Sequence, residues 1–219
     1  MFKKLLASFL LCFPLLACSH IESRVEQRVE PHLDHVDIYQ PPPVELSKRA
    51  LYVRPGFPSP PNLKAIIFPF WLDQDLANKK NIGRETGRII WQTWAEKQIF
   101  SQLIYDEHFG WPGRKEARRI ALEKNAQLYI LGQITNYLPG GSQGSTNIGI
   151  SLSLYNAKDD NLLWSMQQSG RIDPRPDMDF IFFKRKNWMP DSPLYMLVRS
   201  LASSFSAPVY EWTHPYPRK

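Results

Sequence analysis

Gly140-Gly141-Ser142-Gln143-Gly144 matches the G-x-S-x-G pattern that holds a serine nucleophile on a sharp turn between a strand and a helix. The residues that follow speak against that use. Ile148, Ile150, Leu152 and Leu154 alternate with Gly149, Ser151 and Ser153, the period of a strand with one buried face. Glycine, serine and asparagine in such a run also build hairpin loops, so Ser142 is expected to be dispensable and no enzyme activity is expected. His32 and His35 stand three apart beside Asp34 and Asp37, but a proline-rich surrounding does not supply the rigid outer hydrogen bonds a metal site needs. His108 and His214 lack cysteine companions, and no paired acids flanking a recognisable cleft are visible. Neither a metal nor a cofactor is expected.

The segment from Asp179 to Met189 sets Phe180, Ile181, Phe182 and Phe183 beside Lys184, Arg185 and Lys186, with Trp188 following. In one reading it is a surface loop, with Phe182, Phe183, Lys184, Arg185, Lys186 and Trp188 touching lipid headgroups or a neighbouring subunit. In the other, the aromatic residues fill the core beneath a solvated basic end.

At the N-terminus, Lys3 and Lys4 precede the apolar run Leu5 to Leu16, the order of a secretory signal peptide. At about 1.5 Å per helical residue that run reaches about 18 Å, well short of a hydrocarbon core of about 30 Å, so export is expected rather than a membrane span. Leu15-Leu16-Ala17-Cys18 resembles the lipobox of bacterial lipoprotein precursors, which implies cleavage before Cys18 and acylation of its thiol. Cys12 would leave with residues 1–17, so no disulfide is expected and the fold must rest on an ordinary core. Acyl chains of the palmitate kind, at about 0.8 kcal/mol per buried CH₂, would make the anchor lasting. Ser19 stands where an inner-membrane retention signal usually has Asp, so the resemblance implies the periplasmic face of the outer membrane.

Removing Lys3 and Lys4 from 27 basic residues leaves 25 against 21 acidic ones, a net charge of +4 spread along the chain. That balance gives nucleic-acid binding no support. Residues 18–61, with Pro41-Pro42-Pro43 and Pro55, Pro58, Pro60 and Pro61, are expected to form a disordered tether spanning on the order of 100 Å.

One globular domain is expected over 62–213, with 214–219 as a tail. Ala65-Ile66-Ile67 between prolines predicts a buried strand, and Ile82, Thr86, Ile89, Ile90, Thr93 and Trp94 predict a helix by their stripe. Gly83 and Gly87 could admit a neighbouring backbone or merely be tolerated there. A strand near Leu103, a helix over Pro112 to Asn125, strands at 128–134, 148–154 and 163–167, and a helix over 192–212 complete the order β-α-(β)-α-β-β-β-α. The expected class is an α+β sandwich with helices packed on a mostly antiparallel sheet.

The helix ending at Asn125, the strand closing on Gly132-Gln133-Ile134, and the strand pair with Trp164 together resemble the envelope lipoproteins related to CsgG and PelC. The resemblance implies a structural or assembly role in a secretion or export complex at the outer membrane, with an envelope partner or homo-oligomer. A periplasmic activator of a cell-wall enzyme is the alternative.

Overall fold

The computed structural model of the protein describes residues 36–40, 42–107, 110–140, 144–179, 183–187 and 189–215. In chain order their elements are β1 (Val36–Gln40), β2 (Glu45–Leu46), β3 (Ala50–Val53), β4 (Lys64–Ile67), β5 (Trp71–Leu72), α1 (Lys79–Glu96), β6 (Gln102–Tyr105), α2 (Gly113–Glu123), β7 (Leu128–Leu138), β8 (Thr146–Asn156), β9 (Leu162–Ile172), β10 (Met178–Asp179), β11 (Phe183–Asn187) and α3 (Pro193–Thr213).

One sheet runs β2-β9-β8-β7-β4-β6, with β3 also on β9 and β5 also on β7. The class is α+β as expected. Strands β7, β8 and β9 form the expected antiparallel meander, but β4 pairs in parallel with β6 and β7, and β5 with β7, so the sheet is mixed. The cause is connectivity: α1 joins β4 to β6 and α2 joins β6 to β7, and a strand reached through a helical crossover comes back parallel.

The two kinds of strand are buried differently. In β4, Ala65 and Ile67 pack with Ile90 and Trp94 of α1 on one face, while Ile66 packs with Ala117, Ile120 and Ala121 of α2 on the other. A strand covered on both faces is apolar throughout, which is why its sequence shows no alternation. In β8, Ile148, Ile150, Leu152 and Leu154 are fully buried under α1 and α3, and Ser151 and Ser153 look the other way. Trp94 and Phe205 are also fully buried, each worth roughly 1.5–3 kcal/mol by apolar area. The Trp94 indole donates to the Ala202 carbonyl at 2.9 Å and locks α1 onto α3.

Part of the stretch expected as a tether belongs to this sheet. β2 and β3 pair antiparallel with β9. The Ser47 amide donates to the Ser169 carbonyl at 2.9 Å, and the Gln168 side-chain amide donates to the Ser47 carbonyl at 2.7 Å. Pro208 lies inside α3 and has no N–H to give the Ser204 carbonyl one turn back. Arg49 fills that vacancy by donating to the same carbonyl. Further on, the Trp212 indole holds the Phe57 carbonyl at 2.8 Å. A proline-rich segment is kept out of core positions by composition, but nothing prevents its backbone from pairing with a sheet edge.

Phe183–Asn187, in the segment for which the sequence left a surface loop and a core filling open, forms strand β11. It pairs in parallel with β1, Val36 opposite Phe183 through Gln40 opposite Asn187, and antiparallel with β10, in a separate three-stranded sheet. Its partner β1 is remote in sequence, so local composition held no sign of the pairing. Cys18, His32, His35, His108, Ser142, Phe182 and Trp188 lie outside the described residues. Among the described residues, no helix is long and apolar enough to cross a membrane.

Candidate functional site

Strands β4 and β6 lie side by side in parallel, so their carboxyl ends open at one edge of the sheet. From β4 the chain passes to α1 on one face, and from β6 to α2 on the other. Neighbouring loops that depart to opposite faces leave a crevice between them, the place where open sheets with helices on both faces take ligands. Here that crevice is a cleft of about 360 Å³ lined by Trp71, Lys79, Lys80, Arg84, Glu107 and Trp111, with Pro69, Phe70, Leu72 and Gly110 completing it.

The wall from β4 is fixed by the glycine spacing. A Cβ on Gly83 would stand 2.1 Å from the Phe70 carbonyl oxygen, and one on Gly87 would stand 2.8 Å from that of Phe68. The Phe70 amide donates to the Gly83 carbonyl at 2.9 Å. These glycines are therefore where α1 meets backbone directly, which decides between the two roles that the sequence left open. The Phe70 ring occupies the space a Cβ on Gly132 would need, so this connection is also pressed onto β7. With Phe70 held inward, Trp71 is turned outward and stays 40% exposed.

The wall from β6 carries Trp111, 41% exposed, between Gly110 and Gly113, whose φ angles of 70° and 74° require glycine. The two indoles touch, with ring centroids 5.2 Å apart and planes tilted by 47°. Large aromatic groups left half in water and paired around a concavity are the unusual observation here.

Charge is arranged to match. Lys79 and Lys80 open α1, Arg84 follows one turn on, and the first turn holds no acidic residue, the reverse of what the helix dipole favours. Lys79 meets Asp75 at 3.1 Å, an exposed pair of small worth. Lys80 and Arg84 have no carboxylate partner among the described residues, and Glu107 is the one acid in the lining. The Arg84 carbonyl accepts from the Tyr105 hydroxyl at 2.7 Å. Burial first, and Glu107 next, push that hydroxyl above its ordinary value of 10.0, so it keeps the proton that it donates.

A second polar cluster lies where α2 meets the turn between β8 and β9. Tyr129 donates to Asp160, Arg114 pairs with Asp160 at 3.0 Å and rests over the Tyr155 ring, and Arg118 donates to the Ala157 carbonyl at 2.9 Å. Every charge there has an internal partner, so its task is to fasten α2 to the turn.

None of the cleft residues was singled out from the sequence. Trp71 and Trp111 are distant in the chain and meet only because β4 and β6 are adjacent and parallel. The readable signs were the glycine pair and an acid-free helix start. Of the residues proposed for membrane or partner contact, Phe183, Lys184, Arg185 and Lys186 lie on β11, apart from the cleft. After Gly144 the chain enters strand β8 rather than a helix, so the surroundings of the serine motif are those of a hairpin. Trp164 is buried edge-on against Trp212, with ring centroids 6.1 Å apart. Among the described residues, no group of three His, Cys, Asp or Glu side chains is placed to hold a metal.

No protein-family profile and no curated protein matches the sequence. Solved structures do match the fold. PelC from Paraburkholderia phytofirmans, solved as a dodecamer, is 13% identical, with a TM-score of 0.51 over 74% of this chain and 96% of its own. The hypothetical protein CT253 from Chlamydia trachomatis is 10% identical, with a TM-score of 0.47 over 71% of this chain and 99% of its own. Lipoprotein GNA1162 from Neisseria meningitidis is 11% identical, with a TM-score of 0.39 over 66% of this chain and 98% of its own. The chain shares the fold of PelC, and at these identities the likeness extends to fold alone.

Proposed function

We propose that this protein is an envelope lipoprotein, acylated at Cys18 and held at the periplasmic face of the outer membrane. It works there as a structural or assembly subunit of a complex that exports polysaccharide or protein. The observation that supports this most is that its fold matches nearly the whole of a subunit solved as a dodecamer. The signal peptide and the lipobox ending in Cys18 supply the anchor.

The test is the mass of the mature lipidated protein in detergent, by size exclusion with light scattering. Several copies per particle support the assembly role. A monomer across the accessible concentrations rejects it in favour of a periplasmic activator of a cell-wall enzyme. Cys18→Ser should abolish incorporation of labelled palmitate and release the protein from membranes, and unchanged labelling would remove the anchor from the proposal.

A further inference from the structure

We infer that the cleft between the β4 and β6 loops binds an acidic saccharide, a ring sugar carrying a carboxylate, whether or not the protein assembles as proposed above. The two indoles are already in contact at 5.2 Å, so a ligand does not slide between them. It rests across the open V they form at 47°, a shape that suits a puckered sugar ring with an apolar C–H face better than a flat base needing a parallel partner. Polar sugar edges would remain wet, in keeping with the exposure of both tryptophans.

The anion is read from Arg84 and Lys80, which carry no carboxylate partner among the described residues; Lys79 is taken up by Asp75, and Glu107 is the one acid in the lining. A guanidinium fork matches a carboxylate in two parallel hydrogen bonds, and Lys80 adds a point charge beside it. The volume of about 360 Å³ lies at the small end of ligand pockets, which run to roughly 300–1,000 Å³, and fits a short stretch of sugar rings. A lipid surface fits less well, because residues that settle in headgroups project from a convex face, whereas these line a hollow between two loops.

Titration calorimetry on the full mature protein in detergent tests this with trigalacturonate as the probe. Maltotriose serves as the neutral control, and inorganic phosphate and short-chain phosphatidylglycerol serve as anions without a sugar acid. Trigalacturonate should bind at least about tenfold more tightly than each control, and more weakly as salt rises. Trp111→Ala and, separately, Arg84→Gln should each weaken it by about tenfold or more with the melting temperature unchanged. Because Arg84 is exposed, its variant keeps the test valid should Trp111→Ala fold poorly. The inference is overturned by no binding up to about 10 mM, by equal affinity for maltotriose, by equal affinity for phosphate or the lipid, or by variants that bind like the wild type.

Discussion

Two regions of the molecule hold arginine beside aromatic rings, and they use it in opposite ways. At the turn between β8 and β9, Arg114 lies over Tyr155 and pairs with Asp160, which also accepts from Tyr129. At the carboxyl ends of β4 and β6, Arg84 and Lys80 lie beside Trp71 and Trp111 with no acid taken up. The first region satisfies itself and therefore contributes stability. The second leaves charge and apolar surface facing water together, which gains nothing for folding and suits a ligand.

The sharpest way to break this contrast is to move the cleft wall. Gly83→Ala places a Cβ against the Phe70 carbonyl, where backbone on both sides resists displacement. We expect a loss of about 3 kcal/mol or more, or failure to fold, by urea denaturation. A loss under about 1 kcal/mol would mean that the helix slides away easily and that the wall is not rigid.

A moderate effect is expected at the self-satisfied cluster. Tyr129→Phe leaves Asp160 with one donor fewer and should cost about 1–2 kcal/mol in the same measurement. The pH dependence follows with a definite sign. The Tyr129 hydrogen bond first, and then Arg114, hold the Asp160 carboxyl below its ordinary value of 3.8. Its contribution is therefore present above that pH and is lost on acidification through the lower folded value. Burial first, and Asp160 next, raise the Tyr129 hydroxyl above 10.0, so its contribution is present below that pH and fades as pH rises beyond it. Melting curves of Asp160→Asn should be flatter at the acid end than those of the wild type, and Tyr129→Phe should be flatter at the alkaline end. Parallel curves would show that the cluster does not titrate with folding.

The smallest effect belongs to the cleft cations. Arg84→Gln and Lys80→Gln should change stability by no more than about 0.5 kcal/mol, because both side chains face water without an acid partner. A drop like that at Tyr129 would make the cleft a structural cluster of the same kind as the first, and the contrast would vanish.

How far the sequence foretold this molecule depended on where each signal lay. Ile148 to Leu154 stated their own structure, because one buried face imposes alternation within a single segment. The stripe Leu197, Val198, Leu201 and Phe205 did the same for α3. Pairings between remote segments were silent: β2 and β3 on β9, β1 on β11, and β4 between β6 and β7 leave no local periodicity. The cleft depends on the last of these. Trp71 lies between Phe70 and Leu72 and Trp111 between Gly110 and Pro112, with nothing local to link them, and only parallel pairing brings them together.

The clasp around residues 45–57 sets a timetable for the growing chain. Glu45 to Val53 leave the ribosome early, yet their partners Ser165 to Arg171 follow more than a hundred residues later. At about 5–20 residues per second, that is a wait on the order of ten seconds. The Ser204 carbonyl that Arg49 fills and the indole of Trp212 that holds Phe57 come later still. Throughout that interval residues 45–57 are without these partners. Their fastening to α3 can form only once the chain has been made as far as Trp212, and a chain truncated before Pro193 would keep the pairing with β9 but lack both of those contacts.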